Sequence, residues 1–307
     1  MIDNLTLYKF FLQVAKSGSI SSAARQLYVT QPAVSSGIMQ LESALNAKLF
    51  FRTSRGITLT PEGELLYEYV NSGLSFLEAG EDKLRDISGL NGGLMRIGAS
   101  DMTLKFFLLD HIESFNSKYP NVKLTVSNNP TPQTIKSLKN GQIDFCVISD
   151  PVEKDDDVTF VPVRPIRDIA ICKNNGKYRH LINRTVDFEE LARDNTLIML
   201  ERGTSTRFYI DSFLREQNVP NKFFEPEIEL AQSDLILEFV KRGLGVAFIV
   251  EDFAKEAIND GIISEVKLIN PIPPRQFMLG YLNKIPLSAA SKKFIAEITG
   301  NNEKTAG

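Results

Sequence analysis

Small, uncharged polar side chains recur at helical spacing between residues 31 and 43. At about 100° per residue, one helix face carries Pro32, Ser36, Met39, Gln40 and Ser43, flanked by Gln31 and Ser35. The opposite face is an apolar stripe of Val34, Ile38, Leu41 and Leu45, and the one charge, Glu42, falls near the edge of the polar face. Glutamine and serine can exchange hydrogen bonds with base edges in a DNA major groove. The pattern predicts a DNA-reading helix, with an ordinary pair of packed core helices as the alternative.

A second group of polar side chains falls where later strand patterns give way to helical ones. The first such junction is Ser100-Asp101-Met102-Thr103, and the second includes Thr204-Ser205-Thr206. Hydroxyls and free backbone N–H groups at helix N-termini would suit a carboxylate or small oxyanion. Serine and threonine are also common helix caps, so capping alone is the alternative. Asp101 would repel an anion and favour a ligand with an amine or hydroxyls.

Residues typical of enzymes and metal sites form no recognisable constellation. Cys146 and Cys172 lie in apolar, strand-like runs, which favours buried structural thiols over a redox pair. His111 falls in a helical pattern and His180 in a polar loop. The sequence contains no zinc-ligand spacing, P-loop, HExxH or GxSxG, and Gly243-Leu244-Gly245 is only a fragment of a dinucleotide fingerprint. We therefore expect no metal, no cofactor and no enzymatic activity.

Length, composition and charge are those of a soluble protein of about two domains. The chain has 307 residues, 43% of them hydrophobic and 24% charged. No apolar run approaches the roughly 20 residues that span a bilayer, and no export leader is visible, so we expect a cytoplasmic protein. The net charge of -3 hides an asymmetry, because six Lys and Arg oppose two acidic residues within residues 1–60. A basic head on an acidic body can attract phosphates locally.

Two short helical patterns joined by a tight turn would position the polar face. Thr30 is the predicted N-cap of the second helix, and Pro32 sits in its first turn, where a missing N–H costs nothing. The preceding helix is predicted to begin near Ser21, also an N-cap candidate, and to bury Ala23, Ala24 and Leu27. Because small alanines let two helices cross closely, the pair predicts a helix-turn-helix. An earlier helix ending at Gly18-Ser19 would support it with Leu7, Phe10, Phe11 and Val14.

A predicted wing and a long helix follow. Residues 50–59 read as two short strands around a turn containing glycine, where Arg52 and Arg55 suit phosphates or a narrow minor groove. From residue 61 a helical pattern runs to about residue 87. Its heptad-like seam is Leu66, Val70, Gly73, Leu77, Gly80, Leu84 and Ile87. The simplest partner for this seam is the same helix of a second copy, and packing on the chain's own C-terminal domain is the alternative.

Many of these residues, taken together and in register, resemble the N-terminal signature of LysR-type transcriptional regulators. The matching positions are Gly18-Ser19, Ala23-Ala24, Leu27, Gln31-Pro32-Ala33-Val34-Ser35, Ile38, Leu41-Glu42, Leu45, Leu49-Phe50, Arg52 and Leu59-Thr60-Pro61-Glu62-Gly63. Four positions depart from the family pattern. Ser36 stands where Arg is usual, Gly37 where a longer polar residue is usual, Met39 often replaces a Lys, and Asn46 replaces a Gly. We interpret the first three as lying on or beside the DNA-facing surface.

Beyond a linker at Asn91-Gly92-Gly93, strand and helix patterns alternate and predict parallel sheets. Two similar lobes of this kind resemble the type 2 periplasmic-binding-protein fold that the LysR resemblance implies for an effector domain. In such folds ligands sit at the carboxyl ends of the strands, between the lobes. The segment 201–207 is similar to an SGTR-like segment of one LysR subgroup. The candidate effector contacts are Ser100, Asp101, Met102, Thr103, Thr131, Ser149, Thr204, Ser205, Thr206 and Gln232.

The expected fold class is α/β, with an N-terminal winged helix-turn-helix, a long linker helix and a two-lobed effector domain. The expected domains are residues 1–60, 61–90 and 91–300, followed by a flexible tail at 301–307. Lobe 1 would span about 91–163 and 267–300, and lobe 2 about 164–266. The last strand patterns, IISEVKLI and FMLGYL, and the closing helix are expected to return to lobe 1.

The expected function is sequence-specific regulation of transcription, controlled by a small anion or carboxylate bound between the lobes. The candidate DNA contacts are Ser21, Gln31, Pro32, Ser35, Ser36, Met39, Arg52 and Arg55. The expected partners are promoter DNA with a near-palindromic site, the effector and a second copy joined through residues 61–90, and contact with RNA polymerase is compatible with this role. The alternative is a solute-binding protein with the same two-lobed fold, which predicts an export signal and no basic head.

Overall fold

The computed structural model describes residues 4–53, 56–85, 93–220, 222 and 225–300. The chain divides into two compact units, the first made of residues 1–84 with 140–142 and the second of residues 85–139 with 143–307. In chain order the first unit contains α1 (Leu5–Ser17), α2 (Ile20–Gln26), α3 (Gln31–Leu45), β1 (Phe50–Thr53), β2 (Gly56–Leu59) and α4 (Pro61–Arg85). The strands β1 and β2 pair antiparallel. The predicted helix-turn-helix, wing and long helix are all present, although Ile87 lies outside the described residues.

Local hydrogen bonds explain where the first three helices begin and end. Gly18 ends α1 in the left-handed conformation, at φ 63°. Ser19, and not the predicted Ser21, caps α2, because its side chain accepts a hydrogen bond from the backbone N–H of Ser22. Thr30 caps α3 as predicted by accepting from the backbone N–H of Ala33. Asn46 ends α3 at φ 50°, a conformation that Asn tolerates better than most non-glycine residues.

The core of the first unit is formed where α1, α2 and α3 cross. Its buried members include Leu7, Phe11, Val14, Ala23, Ala24, Val34, Ile38 and Leu41. Leu45, the predicted end of the α3 stripe, is instead 38% exposed. Gly37 is buried and faces α1, where an added Cβ would lie 2.6 Å from Cδ2 of Phe10. Our interpretation of Gly37 as part of the DNA-facing surface was therefore wrong.

The long helix α4 has two apolar faces, one buried in the core of the first unit and one exposed. Val70 and Leu74 are buried in the core of the first unit, and Leu66 packs partly against it. Leu66 and Val70 are therefore wrongly placed in the predicted seam, since they belong to the unit's own core. An exposed apolar stripe lies beside them and consists of Leu65, Tyr69, Gly73, Leu77, Gly80 and Leu84.

The second unit begins with β3 (Leu94–Ala99) and a helix made of three consecutive segments. These are α5 (Asp101–Thr103), a π-helical turn (Leu104–Leu108) and α6 (Leu109–Lys118). Next come β4 (Lys123–Asn128), α7 (Thr131–Lys139), β5 (Phe145–Ser149), β6 (Val158–Ile166), β7 (Asp168–Lys173), α8 (Arg179–Ile182), β8 (Thr185–Val186), α9 (Phe188–Asp194) and β9 (Leu197–Leu200). The unit ends with α10 (Ser205–Glu216), β10 (Ile228–Leu230), α11 (Ser233–Lys241), β11 (Val246–Val250), α12 (Glu251–Asn259), β12 (Ile263–Leu268), β13 (Arg275–Leu282) and α13 (Ala289–Thr299).

Two sheets form the lobes of the second unit. The first has five strands in the order β4-β3-β5-β13-β6, and the second has six in the order β10-β9-β11-β7-β12-β8. Parallel pairs such as β3 with β4 and β9 with β10 confirm the predicted α/β class, while β7 and β13 pair antiparallel with their neighbours. The chain crosses between the sheets after β6 and again after β12.

Some sequence-based expectations for this unit were wrong. The strand IISEVKLI is β12 of the second sheet, because it pairs with β7 and β8 instead of returning to the first lobe. Only β13 and α13 return. The strand β6 and the helix α12 were not predicted, and His180 lies in the short helix α8, not in a loop. No helix in the described part of the chain is long and apolar enough to cross a membrane.

Candidate DNA-binding face and ligand cleft

The outward face of α3 carries the polar side chains that its helical spacing predicts. Exposed on it are Gln31, Pro32, Ser36, Met39, Gln40 and Ser43, while Ser35 is half-buried. Ser21, on α2, donates its hydroxyl hydrogen to Oε1 of Gln31 over 3.1 Å. The structure thus brings two predicted DNA contacts from different helices together at the start of α3.

Glu42 does not belong to this outward face. Its carboxylate is buried and accepts hydrogen bonds from the backbone N–H of Leu49 and from Nζ of Lys48. The expectation that Glu42 lies near the edge of the polar face was wrong, because its side chain turns toward the segment that leads into the wing. Without it, the face is uncharged and built from hydrogen-bonding and small groups.

The wing arginines are described less completely. The backbone of Arg52 lies in β1, paired with Ile57 of β2. The side chain of Arg52 and the whole of Arg55 lie outside the described residues. Their contribution to DNA binding stays a prediction based on sequence.

A cleft of about 1000 Å³ opens between the two lobes of the second unit. One wall comes from the start of α7 and the segment after β5, and the other from the N-terminal half of α10 and the loop before it. Its lining residues are Thr131, Pro132, Ile135, Pro151, Val152, Glu153, Arg202, Gly203, Thr204, Ser205, Arg207, Phe208, Asp211, Arg215 and Glu225. Three predicted effector contacts are among them: Thr131, Thr204 and Ser205.

The first turn of α10 is held by hydrogen bonds within its lobe and across the cleft. Thr204 caps the helix by accepting from the backbone N–H of Arg207, and its hydroxyl donates to the carbonyl of Glu201. The hydroxyl oxygens of Ser205 and Ser149 lie 2.7 Å apart, joining the second lobe to the first. Thr206 is buried and points away from the cleft, since its Oγ1 accepts from Nη2 of Arg275. Residues that were predicted to contact an effector are therefore already engaged in capping α10 and in joining the two lobes.

The remaining predicted effector residues do not line this cleft. Ser100 and Thr103 form a reciprocal capping box, and Thr103 is fully buried. Met102 is also buried, and Asp101 accepts a hydrogen bond from Nδ2 of Asn128. Gln232 is exposed at the start of α11 and its side chain does not cap that helix.

Sequence reasoning missed the two buried arginines beside the cleft. Arg207 donates to Asp211, Glu229 and the carbonyl of Leu200 over distances of 2.7–2.9 Å. Burial opposes its charge, but the hydrogen bonds to Glu229 and Asp211 outweigh burial and raise the pKa of Arg207. Its four-residue spacing from Asp211 is a recognisable helical ion-pair pattern. Nothing local marks Arg275, whose partner Asp168 is 107 residues away.

Family models match both units of the chain. Residues 5–64 match the bacterial regulatory helix-turn-helix protein model of the lysR family, and residues 88–302 match the LysR substrate binding domain. The chain belongs to the LysR family of transcriptional regulators. The family confirms the expected fold class and the expected function of a transcriptional regulator with an effector-binding domain, in preference to the alternative of a solute-binding protein.

Curated relatives and solved structures agree with this assignment. A probable RuBisCO transcriptional regulator of Gracilaria tenuistipitata var. liui is 32% identical, with 97% of this chain and 95% of the relative covered. The regulator GltR of Bacillus subtilis (strain 168) is 32% identical over 80% of this chain and 79% of its own. A full-length OxyR variant from Pseudomonas aeruginosa has a TM-score of 0.69 at 20% identity, covering 97% of this chain and 95% of that one. Full-length CbnR complexed with its target DNA also has a TM-score of 0.69, at 16% identity, covering 97% of this chain and 99% of that one.

Proposed function

We propose that this LysR-type regulator reads promoter DNA with the outward face of α3 and responds to a small carboxylate held in the cleft between its lobes. The observation that carries the effector assignment is the 1000 Å³ cleft with the first turn of α10 in its wall. The regulator acts by binding, without catalysis, and works in the cytoplasm. One structural relative, CbnR, is complexed with its target DNA, and this supports a DNA partner.

The proposed DNA contacts are the residues that α3 exposes, together with Ser21 and the wing arginines. Hydroxyl and amide groups of Gln31, Ser35 and Ser36 would read base edges, while Pro32 and Met39 supply apolar contact to thymine methyl groups. Arg52 and Arg55 would contact phosphates and the adjacent minor groove, which fixes register without specifying sequence.

The exposed stripe of α4 is the proposed dimer contact. Tyr69 is 74% exposed and Leu84 is 69% exposed, which is unusual for large apolar side chains spaced along one helix face. Gly73 and Gly80 lie in the same stripe and would allow two helices to approach closely. A two-fold dimer would present two copies of α3 to the two halves of a near-palindromic site. Contact with RNA polymerase would follow from this placement on a promoter.

The chemistry of the cleft favours a carboxylate with an apolar body. Apolar side chains on its walls are Pro132, Ile135, Pro151, Val152 and Phe208. Backbone N–H groups at the start of α10 supply positive potential, as does the exposed guanidinium of Arg202, which also pairs with Glu225 over 3.7 Å. Glu153 and Glu225 bring negative charge to the same cleft, which limits it to ligands of low total charge.

Thermal unfolding of the full-length chain tests this assignment. The probes are benzoate, citrate, inorganic phosphate and benzylamine, so that one ligand has the apolar body without the carboxylate. Benzoate at 100 times its dissociation constant should stabilise the chain by about 2.7 kcal/mol. Ser205→Ala should reduce that shift, whereas Ser212→Ala, which removes a hydroxyl bonded to a backbone carbonyl on the same helix, should not. Equal stabilisation by benzylamine would contradict the carboxylate assignment.

A further inference from the structure

A buried ion pair joins the two lobes where the chain crosses between their sheets. Arg275 opens β13 of the five-stranded sheet, and Asp168 opens β7 of the six-stranded sheet. Nε and Nη2 of Arg275 donate to the two carboxylate oxygens of Asp168 over 2.6 and 2.9 Å. Both side chains are at most 1% exposed. Each residue is the first of the strand that follows a crossover, so the pair lies at the hinge between the lobes.

The rest of the Arg275 guanidinium reaches toward both walls of the ligand cleft. Nη1 donates to the backbone carbonyl of Asp150 over 2.9 Å, and Nη2 donates to Oγ1 of Thr206 over 2.7 Å. Asp150 immediately precedes the wall segment 151–153, and Thr206 immediately follows the wall residue Ser205. One planar group therefore holds the base of the first-lobe wall and the base of the second-lobe wall at a fixed separation.

The chemistry of this arrangement indicates a role beyond stability. A buried ion pair is costly to desolvate, and apolar residues of similar volume often replace one without loss of stability. Apolar residues cannot supply the rigid fork of hydrogen-bond donors with which arginine binds several acceptors at defined angles. The contact between Ser205 and Ser149 also joins α10 to the end of β5. A ligand that bonds the hydroxyl of Ser205 competes with Ser149, whereas the buried Arg275 network keeps its hold on both walls.

We propose that Arg275 is a positioning residue that sets the width of the ligand cleft, acting through Thr206 on one wall and the carbonyl of Asp150 on the other. The inference rests on the proposed function in treating this cleft as the ligand site. It goes beyond that function because cleft width is a property of the chain before any ligand binds. Removing the acceptor on Thr206 frees the first turn of α10 from the hinge while leaving the ion pair with Asp168 intact.

Distance measurements between spin labels on the two walls test the proposal in the full-length chain. The labels are attached at Gln133→Cys on α7 and Glu216→Cys on α10, both exposed helical positions outside the cleft lining. The native thiols of Cys146 and Cys172 are fully buried, so labelling is confined to the introduced sites. Dilution with unlabelled chain makes distances within one chain dominate.

Thr206→Val is the decisive variant, because it removes the hydroxyl at nearly constant volume. It should broaden the distance distribution and move it to longer distances in the absence of any ligand. Arg275→Lys, which keeps the charge without the fork, should do the same with a larger loss of melting temperature. Ser212→Ala on the same helix should leave the distribution unchanged.

An unchanged distribution in Thr206→Val and Arg275→Lys, with only a lowered melting temperature, would overturn the proposal and reduce the network to structural support. Because no ligand is added, this result is independent of the effector assignment. Failure of benzoate to stabilise the wild-type chain would reject the proposed ligand class. It would not affect the conclusion about cleft width, which is measured without ligand.

Discussion

Glu42, near the end of α3, accepts a 2.8 Å hydrogen bond from the backbone N–H of Leu49, the residue that precedes the wing. Its other carboxylate oxygen accepts from Nζ of Lys48, also at 2.8 Å. Burial opposes ionisation, but the hydrogen bonds from Lys48 and Leu49 and the charge of Lys48 together lower the pKa of Glu42. The carboxylate thereby connects α3 to the segment that leads into the wing, so that both keep one orientation.

Glu42→Ala should destabilise the chain by about 1–3 kcal/mol at pH 7, because it leaves the buried N–H of Leu49 without its acceptor. Glu42→Gln should cost less, since an amide oxygen can still accept that bond. The folded-state pKa lies below the ordinary value of 4.5, so the contribution is present at neutral pH and is lost as the pH falls below that value. Urea unfolding between pH 3 and 7 measures it. A difference between wild type and Glu42→Gln that stays constant down to pH 3 would contradict this account.

The two kinds of DNA contact should respond differently to substitution. Ser35→Ala removes a group proposed to bond base edges, so it should reduce the preference for the specific site over a scrambled duplex. Arg52→Ala removes a proposed phosphate contact, so it should weaken binding to both duplexes alike and reduce the salt slope by about 0.9. Fluorescence anisotropy at several salt concentrations separates the two. If both variants lost binding affinity equally on the specific and scrambled duplexes, the division into base contacts and phosphate contacts would be wrong.

The sequence predicted the helices of the first unit because each has a local cap and an apolar period. Thr30 and the stripe at Val34, Ile38 and Leu41 are visible within a few residues of one another. Glu42 was misplaced because its partners Leu49 and Lys48 lie beyond the helix, and only the path of the following loop brings them close. Gly37 was misplaced because the fit of Phe10 against it depends on how α1 crosses α3.

The second unit was predicted less completely, for reasons that are not local. The strand β6 contains Pro162 and Pro165, which are unfavourable within a central strand. The two prolines are tolerated because β6 is the edge strand of its sheet. The strand β12 was placed in the wrong lobe because its pairing with β7 joins segments about 90 residues apart, which no local pattern encodes. The cleft walls depend on the same long-range pairings.

Two glycines of α4 should respond in opposite directions to alanine. An added Cβ at Gly63 would lie 2.1 Å from the backbone carbonyl oxygen of Leu49, which cannot move aside cheaply. Gly73 has no described atom within 4 Å of that position. Gly63→Ala should destabilise the chain by about 1–3 kcal/mol or more through overpacking. In the monomeric chain, where no partner helix covers this position, Gly73→Ala should stabilise the helix by about 0.5–1 kcal/mol. Chemical unfolding of both variants checks the pair, and a stabilising Gly63→Ala would show that the contact can relax.

The two native thiols should be unreactive in the folded chain. Burial raises the pKa of Cys146 to about 12, partly offset by a hydrogen bond with the backbone of Gly280, and raises the pKa of Cys172 to about 11. Since the thiolate is the nucleophile, a thiol-exchange reagent at pH 8 should modify neither residue until denaturant is added. Ser212→Cys, on α10, provides a reactive reference. Rapid modification of a native thiol would instead favour a redox role for it.

The exposed stripe of α4 should hold two chains together. Leu77 is 53% exposed and lies near its centre, and burying a leucine contributes about 1.5–3 kcal/mol. In a two-fold dimer each substitution acts twice, so Leu77→Glu should raise the dimer dissociation constant at least about 100-fold. Glu78→Ala, at an exposed position of α4 outside the stripe, is the matched control. Sedimentation velocity across a concentration series measures both. If Leu77→Glu sediments as wild type does, the stripe is not the dimer contact, and its apolar side chains face some other partner.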